Sequence, residues 1–520
     1  MPRANHMDTL NSQTRSPREG ARQPSVVEHF SIDGLFKYRS IGFDSDYAAT
    51  VLIARNGTGK TTLLAALDAF LKNQFSRLIN LEFSTIDCKL RSLDHVLRIE
   101  KNQIDGLIAA INDPVFVASA KAWEVEPAAL LEVIELDLSI IKHSEVMDYP
   151  NLYSIYTRSG YNLGQLKGSL DKLAKKIFDD TGLTEIRSEI RQALVGYDIV
   201  YLPTYRRIEL SLPQVEKRGE RKRNLFAQLG ISRRGLHNAD IQFGLGDIRD
   251  RLRALYSDML FRANQGYGKI SANVINDLIT GAFRNVSGIS RQLPTKESLE
   301  LFFSRIKDME REYRRVPYTN IIAAPDLDRL FRGEVDFDAR PFLEYYLDQL
   351  NVVIQDTRGT EEVVETFIDS CNAYLSGKTD SDETSLDEIA DFDWKQIKFH
   401  KRSFQVSIES LATKAKVPLE SLSSGEKQMI SLFARLYLYP GKKLILIDEP
   451  ELSLSIGWQR KILPDILRAP SCEQIVAITH SPFTFDNELD PYAGALSFRW
   501  TKFVPDLFPD SHLADPFEDS

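Results

Sequence analysis

Residues Ala54–Thr62 read ARNGTGKTT, a glycine-rich turn between the apolar run ATVLIA and the helix-spaced run TTLLAALDAFLKNQF. A strand, a glycine turn and a helix in that order place backbone N–H groups and a helix N-terminus around a phosphate. Gly57 and Gly59 permit the close backbone approach that a side chain would block. Lys60 is placed to reach the β and γ phosphates and the Thr61 hydroxyl to ligate Mg2+, with Asn56, Thr58 and Thr62 completing the cradle. The chain departs from the usual GxxxxGK[ST] pattern at one position, where Ala54 replaces the first Gly.

The complementary chemistry lies far down the chain. In KLILIDEPELSLS (Lys443–Ser455), LILI reads as a buried parallel strand with Asp448 and Glu449 at its tip, where open α/β sheets bind ligands. Phosphoryl transfer needs positioning and charge neutralisation more than covalent help. Asp448 suits Mg2+ held through water, and Glu449 suits an attacking water. A second apolar strand, IVAI, leads to His480, in position to hydrogen-bond a γ-phosphate. A lone His after a strand is more often structural; its weight here comes from the order of the motifs. SLSSGEKQ (Ser421–Gln428) opens the helix EKQMISLFARLYLY, with Ser423 as N-cap. Together these phrases specify ATP and Mg2+ as the ligands.

Bulk properties narrow the rest. At 520 residues and 43% apolar, the chain is long enough for two or three domain-sized units. A net charge of −9 argues against coating nucleic acid over the whole surface, but leaves room for a local basic face. Cys88, Cys371 and Cys472 lie far apart with no CxxC pair, so neither a disulfide framework nor a zinc hook is indicated. No apolar run approaches the roughly 18 residues needed to cross a bilayer, and the N-terminus has no secretory h-region. A cytoplasmic protein without membrane contact is the natural reading.

Five segments are expected: a disordered tail (1–25), a first α/β lobe (26–110), a mainly helical insertion or arm (111–393), a second lobe (394–490) and a C-terminal tail (491–520). HFSIDGLFKYRSIGF reads as edge strands, and IVYLPTYRRIEL as a strand within the helical part. Lys296–Val316 has the spacing of a charged amphipathic helix, and the acidic stretch 376–393 reads as a solvated loop. Tyr205, Arg206 and Arg207 suit a nucleotide, nucleic-acid or subunit contact, or equally an ion pair with Glu209. The basic stretch 206–234 suits phosphate tracking along a nucleic acid, or equally a solvated loop or an acidic partner.

With these motifs in place, the chain resembles the ABC-type AAA-like ATPases grouped with SMC, RecF and OLD proteins. The resemblance covers roughly 26–110 and 394–490, plus PTYRRIE. It implies an α/β fold, an ABC-type P-loop ATPase head with a large, mainly helical insertion between its two lobes. It also implies that Ser423, Ser424 and Gly425 complete a partner's phosphate site, so that a homodimer or higher oligomer closes around ATP, with Glu451–Ser455 touching across the dimer. SSGEKQ, IDEPELSLS and THSPF look especially similar to ATPase subunits of bacterial anti-phage systems such as Septu, its retron-associated relatives and PARIS. That likeness implies a sensor or scaffold controlling a separately encoded effector, commonly a nuclease. OLD-type nucleases append a metal-binding TOPRIM domain; the forty residues after His480 are too few for one. Gln103 and Gln74 compete as the glutamine that these ATPases place near the metal. A RecF- or SMC-like DNA-repair ATPase and a nucleotide-gated scaffold with negligible turnover are the rival readings.

Overall fold

The computed structural model describes residues 16–55, 57–141, 143, 146, 149–203, 245–281, 293–312, 325–377 and 394–500. The chain divides into two compact units, one of Arg15–Ile241 with Gly441–Ser520, the other of Met1–Thr14 with Gln242–Pro440. The first carries the glycine-rich loop.

Its framework is two sheets with helices packed on them, an α/β architecture as the sequence indicated. The antiparallel sheet contains β1 (Val27–Leu35), β2 (Arg39–Asp44), β4 (Thr85–Leu90), β5 (Leu97–Glu100) and β13 (Ser497–Trp500), in the order β13-β2-β1-β4-β5. The parallel sheet contains β3 (Ala49–Ile53), β6 (Tyr197–Leu202), β10 (Lys442–Asp448), β11 (Cys472–Thr479) and β12 (Ala493–Ala495), in the order β12-β3-β11-β10-β6. Strands β10 and β11 are buried along nearly their whole length, which explains continuous apolar runs where a half-exposed strand would alternate.

The first helix of this unit, α1 (Pro17–Ala21), lies against the helix Ile456–Arg468 so closely that a Cβ on Gly20 would sit 2.7 Å from the Leu467 carbonyl oxygen. Helix α2 (Lys60–Leu71) packs against β10 and β6 and also against β1, so its Leu and Ala side chains are buried all round. Among the described residues, the unit's middle holds the helices α3 (Lys101–Ile111), α4 (Pro114–Ala122), α5 (Pro127–Glu135), α6 (Pro150–Ser159), α7 (Leu163–Asp180) and α8 (Thr184–Ala193). They share one hydrophobic core with the first lobe: Phe70, Phe75, Leu130, Ile155, Leu170 and Ile190 are members.

Asp68, fully buried in α2, holds Arg77 Nη1 at 2.6 Å and Lys72 Nζ at 2.9 Å. Removing one partner of a buried ion pair strands the other. Asp68→Ala is therefore expected to destabilise this unit by about 3 kcal/mol. A urea midpoint within error of wild type, at unchanged slope, would refute this.

The second unit contains α9 (Leu245–Thr280), α10 (Lys296–Glu312), α11 (Leu327–Phe331), α12 (Arg340–Leu375) and α13 (Ser424–Leu438), with a small antiparallel sheet of β7 (Lys395–His400), β8 (Gln405–Ser410) and β9 (Lys416–Val417). Leu299, Phe302, Phe303 and Ile306 of α10 form the stripe that its spacing predicted, and they pack with Ala263, Ile270 and Leu350. Helices α9 and α12 approach closely at Gly266, where a Cβ would lie 2.8 Å from Val353 Cγ1. Arg305 ties α10 to the hairpin, donating to the Lys401 carbonyl (3.0 Å) and to Glu361 (2.5 Å).

Several segment boundaries differ from the sequence expectation. Residues 111–203 pack into the unit of the glycine loop instead of forming part of an arm, because their apolar faces join its core. The hairpin β7–β8 and helix α13 belong instead with the helices 242–440. Strand β1 is no edge strand, since β2 and β4 pair on either side of it. The N-terminal tail gives way to α1 at Pro17, and the C-terminal tail starts later than 491, as β12 pairs with β3 and β13 with β2. The acidic stretch 378–393, the Tyr205–Arg207 segment, Glu209, the basic stretch 206–234 and residues 501–520 lie outside the described residues. Among the described residues, no helix is long and apolar enough to cross a membrane.

Candidate functional site

Strand order explains how motifs so distant in sequence meet. Strand β11 pairs in parallel with β3 on one side and β10 on the other. In that register Thr479 lies beside Ile53, and Asp448 beside Ile478. The carboxyl ends of β3, β11 and β10 therefore deliver the glycine loop, His480 and the Asp448–Glu449 pair side by side, with His480 in the middle.

The loop itself is built by backbone conformation. Ala54 N–H donates to the Thr479 carbonyl (3.4 Å), extending the β3–β11 ladder, so Ala serves where the usual pattern has Gly. Gly57 has φ +82 and a Cβ there would meet open space; Gly59 has φ +101 and a Cβ would touch Ile41 Cδ1 at 3.2 Å. The first glycine keeps room over the loop and the second allows the turn into α2. Asn56 lies outside the described residues. Thr58 Oγ1 donates back to the Arg55 carbonyl (2.8 Å), bracing the loop.

The side chains of Glu449 and His480 converge on Lys60. Its Nζ donates to Glu449 Oε1 (3.2 Å) and lies 3.0 Å from His480 Nδ1. An ammonium only donates, so Nδ1 is the accepting nitrogen and the ring proton belongs on Nε2. Lys60 is 6% exposed, whereas the His480 side chain is 43% exposed. Glu449 sits at φ 55, a left-handed conformation that costs a non-glycine residue about 1–3 kcal/mol. Its N–H donates to the Ile478 carbonyl (2.8 Å), which helps hold the turn and aims the carboxylate at Lys60. Next to this group, Thr61 Oγ1 donates to Asp448 Oδ2 (2.5 Å). A hydroxyl and a carboxylate make the all-oxygen set that Mg2+ prefers, and Mg2+ commonly takes only one or two protein ligands beside water and substrate phosphates. The residues present thus fit a triphosphate with its metal.

Arg39 was not singled out by sequence reasoning. It is buried, and its Nη1 donates to the Gly57 carbonyl (2.8 Å). Its guanidinium lies 5.0 Å from the Phe36 ring centroid and 5.4 Å from that of Tyr38. It braces the glycine loop from the β1–β2 turn. The one signal in the sequence is an Arg just after two aromatics in FKYRS, too common to weigh alone.

The signature segment belongs to the other unit. Ser423 is the N-cap of α13: its Oγ accepts from Glu426 N–H (3.3 Å), and Glu426 Oε2 accepts from Ser423 N–H (2.7 Å). Lys395 fixes Glu426 from β7 at 2.9 Å. Ser423 and Ser424 are exposed and Gly425 is buried at the first turn. Neither candidate glutamine is turned to the phosphate loop. Gln103 completes a capping box on α3 and donates to the Gly182 carbonyl (3.3 Å), while Gln74 accepts from Arg77 (2.8 Å). Cys88, Cys371 and Cys472 are buried and form no disulfide, and burial pushes the thiols of Cys88 and Cys371 well up. Among the described residues, no group of three or more His, Cys, Asp or Glu forms a metal cluster.

A strand, a glycine loop and a helix, with acidic and histidine residues on neighbouring parallel strands, define the P-loop ATPase class. The family described as "AAA domain, putative AbiEii toxin, Type IV TA system" matches residues 158–486, more than half of the chain, and the chain belongs to it. The matched region takes in the helical middle, the signature, Asp448, Glu449 and His480, and begins after the glycine loop. No curated protein matches. Among solved structures, the chain is similar to the Smc head domain with an extended coiled coil bound to the C-terminal domain of ScpA, from Pyrococcus furiosus (14% identity, 91% of this chain and 96% of that chain, TM-score 0.32). It is also similar to the SmcHead bound to the C-winged helix domain of ScpA (11%, 92% and 98%, TM-score 0.32). A third is the Smc head domain with a coiled coil and joint from Pyrococcus yayanosii (14%, 89% and 93%, TM-score 0.28).

Proposed function

We propose that this chain binds and hydrolyses ATP as an ABC-type ATPase, and that it serves as the sensor or scaffold subunit of an anti-phage defence complex controlling a separately encoded effector, a nuclease in the first instance. The observation that carries the ATPase reading is the contact of Lys60 with both Glu449 and His480, groups some four hundred positions away in sequence. Bound ATP with Mg2+ supplies the phosphoryl group and the charge that polarises it. Lys60 and the α2 N-terminus hold the phosphates, Thr61 and Asp448 hold the metal, Glu449 orients and polarises water, and His480 steadies the terminal phosphate. Ser423 and Gly425, on a capped helix start, supply donors to the phosphate of a second copy in a homodimer or higher oligomer. A slow, regulatory turnover suits such a role.

The defence role rests on the resemblance to anti-phage ATPases and agrees with a family described by a toxin–antitoxin system. It is tested by affinity purification of the Glu449→Gln protein expressed with its native gene neighbourhood. A stoichiometric co-eluting nuclease or other toxic effector supports the reading. Recovery with DNA alone, or with no partner, would overturn it.

A further inference from the structure

We propose that Glu451, which shares the acidic turn with Glu449 but not its task, is the positioning residue for His480; this rests on the ATPase reading above. The left-handed turn at Glu449 sends the chain back, so that Glu451 is buried at 7% exposure with its carboxylate directed into its own subunit. Each carboxylate oxygen takes a donor from the end of β11. Oε2 accepts from Thr479 Oγ1 (2.8 Å), and Oε1 accepts from the His480 N–H (3.1 Å). One side chain thereby brackets two consecutive residues and fixes where the strand stops and His480 departs.

The bracket is reinforced from both ends. The Thr479 hydroxyl is wholly buried and also accepts from Ser481 N–H (3.0 Å), with Thr484 Oγ1 at 3.1 Å. Gln459, on the helix α14 (Ile456–Arg468), donates to the carbonyls of Glu451 (3.3 Å) and Leu454 (3.0 Å), while its Oε1 accepts from Ser481 Oγ (2.8 Å). Such a connected network holds geometry better than isolated bonds. Glu451 Oε1 is also 3.7 Å from His480 Nδ1, nearly the distance of Glu449 Oε1 at 3.6 Å. The exposed imidazole is thus anchored by its backbone and faced by two carboxylates. Without the bracket, the His480 N–H and the Thr479 hydroxyl lose the acceptor that they share, and the main chain beneath the ring loses that restraint.

The test uses the full chain and four variants: Glu451→Ala, Glu451→Gln, His480→Ala and the double alanine. Glu451→Ala is expected to lower kcat about 30-fold, close to the loss in His480→Ala, with KM for ATP within about threefold, and the double variant should be no slower than His480→Ala. Glu451→Gln should recover most of the rate, because an amide oxygen still accepts from His480 N–H while its NH2 faces a Thr479 hydroxyl that can turn to accept. In nucleotide-free protein, diethyl pyrocarbonate should modify His480 several-fold faster in Glu451→Ala than in wild type or Glu451→Gln. That readout does not depend on turnover, so a wild-type chain that fails to hydrolyse ATP would refute the ATPase reading while leaving this inference testable. Additive losses in the double variant, a change confined to KM, or unchanged His480 modification would overturn it.

Discussion

Lys60→Ala is expected to abolish ATP turnover, with a loss of at least about 100-fold, since a preorganised cation at a transferring phosphoryl group typically carries an effect of that size. Lys60 stands at the first turn of α2, nearly buried, between Glu449 and His480. The substitution should also weaken nucleotide binding, measured by titration calorimetry, because Lys60 is one of the groups that would hold the phosphates in the ground state. Near-normal turnover in this variant would remove the glycine loop as the site of chemistry. Gly59, being required at φ +101, is a poorer probe, as its substitution disturbs the backbone as well as the ligand.

The second large effect concerns Glu449→Gln. The amide keeps the size of the carboxylate and an oxygen for Lys60, but loses the charge that polarises water. Turnover should fall by about 100-fold or more while ATP remains bound, because the change acts on the transition state and spares the ground-state contacts. If ATP closes two copies around it, the trapped state accumulates. Size-exclusion chromatography of this variant should then show a larger species with ATP than without. Superimposable profiles would remove the main support for ATP-bridged heads, although the assignment of Glu449 would still stand on the turnover measurement.

The phosphate loop, the acidic strand end and the histidine strand end were legible in the sequence because each makes a local demand. A glycine-rich turn between strand and helix and a carboxylate or histidine just after an apolar run are all short-range patterns. The insertion of β11 between β3 and β10 was not legible, since strand pairing is set by packing across long separations. Arg39 was missed for a related reason: its partner is a loop carbonyl that no side-chain pattern reveals. Glu451 illustrates a third limit. It was read with the segment that meets a second copy, yet its carboxylate is satisfied inside its own subunit by Thr479 and the His480 N–H. The lobe boundaries failed because helices α4 to α8 join the core of the first lobe, and amphipathic helices do not declare which core they will join.

Strand order also has a consequence for biosynthesis. The two central strands of the parallel sheet, β11 and β10, are among the last to leave the ribosome, whereas their neighbours β3 and β6 are made early. While the chain is being made, those neighbours have nothing to pair with across the gap, and long-range parallel pairing is slow to form. The strand ends that meet at Lys60 thus stay apart until late in synthesis. Premature termination anywhere before β10 leaves the glycine loop without Asp448, Glu449, His480 and its neighbouring strands. The order of synthesis thus delays assembly of the site until the ends of both β10 and β11 have been made.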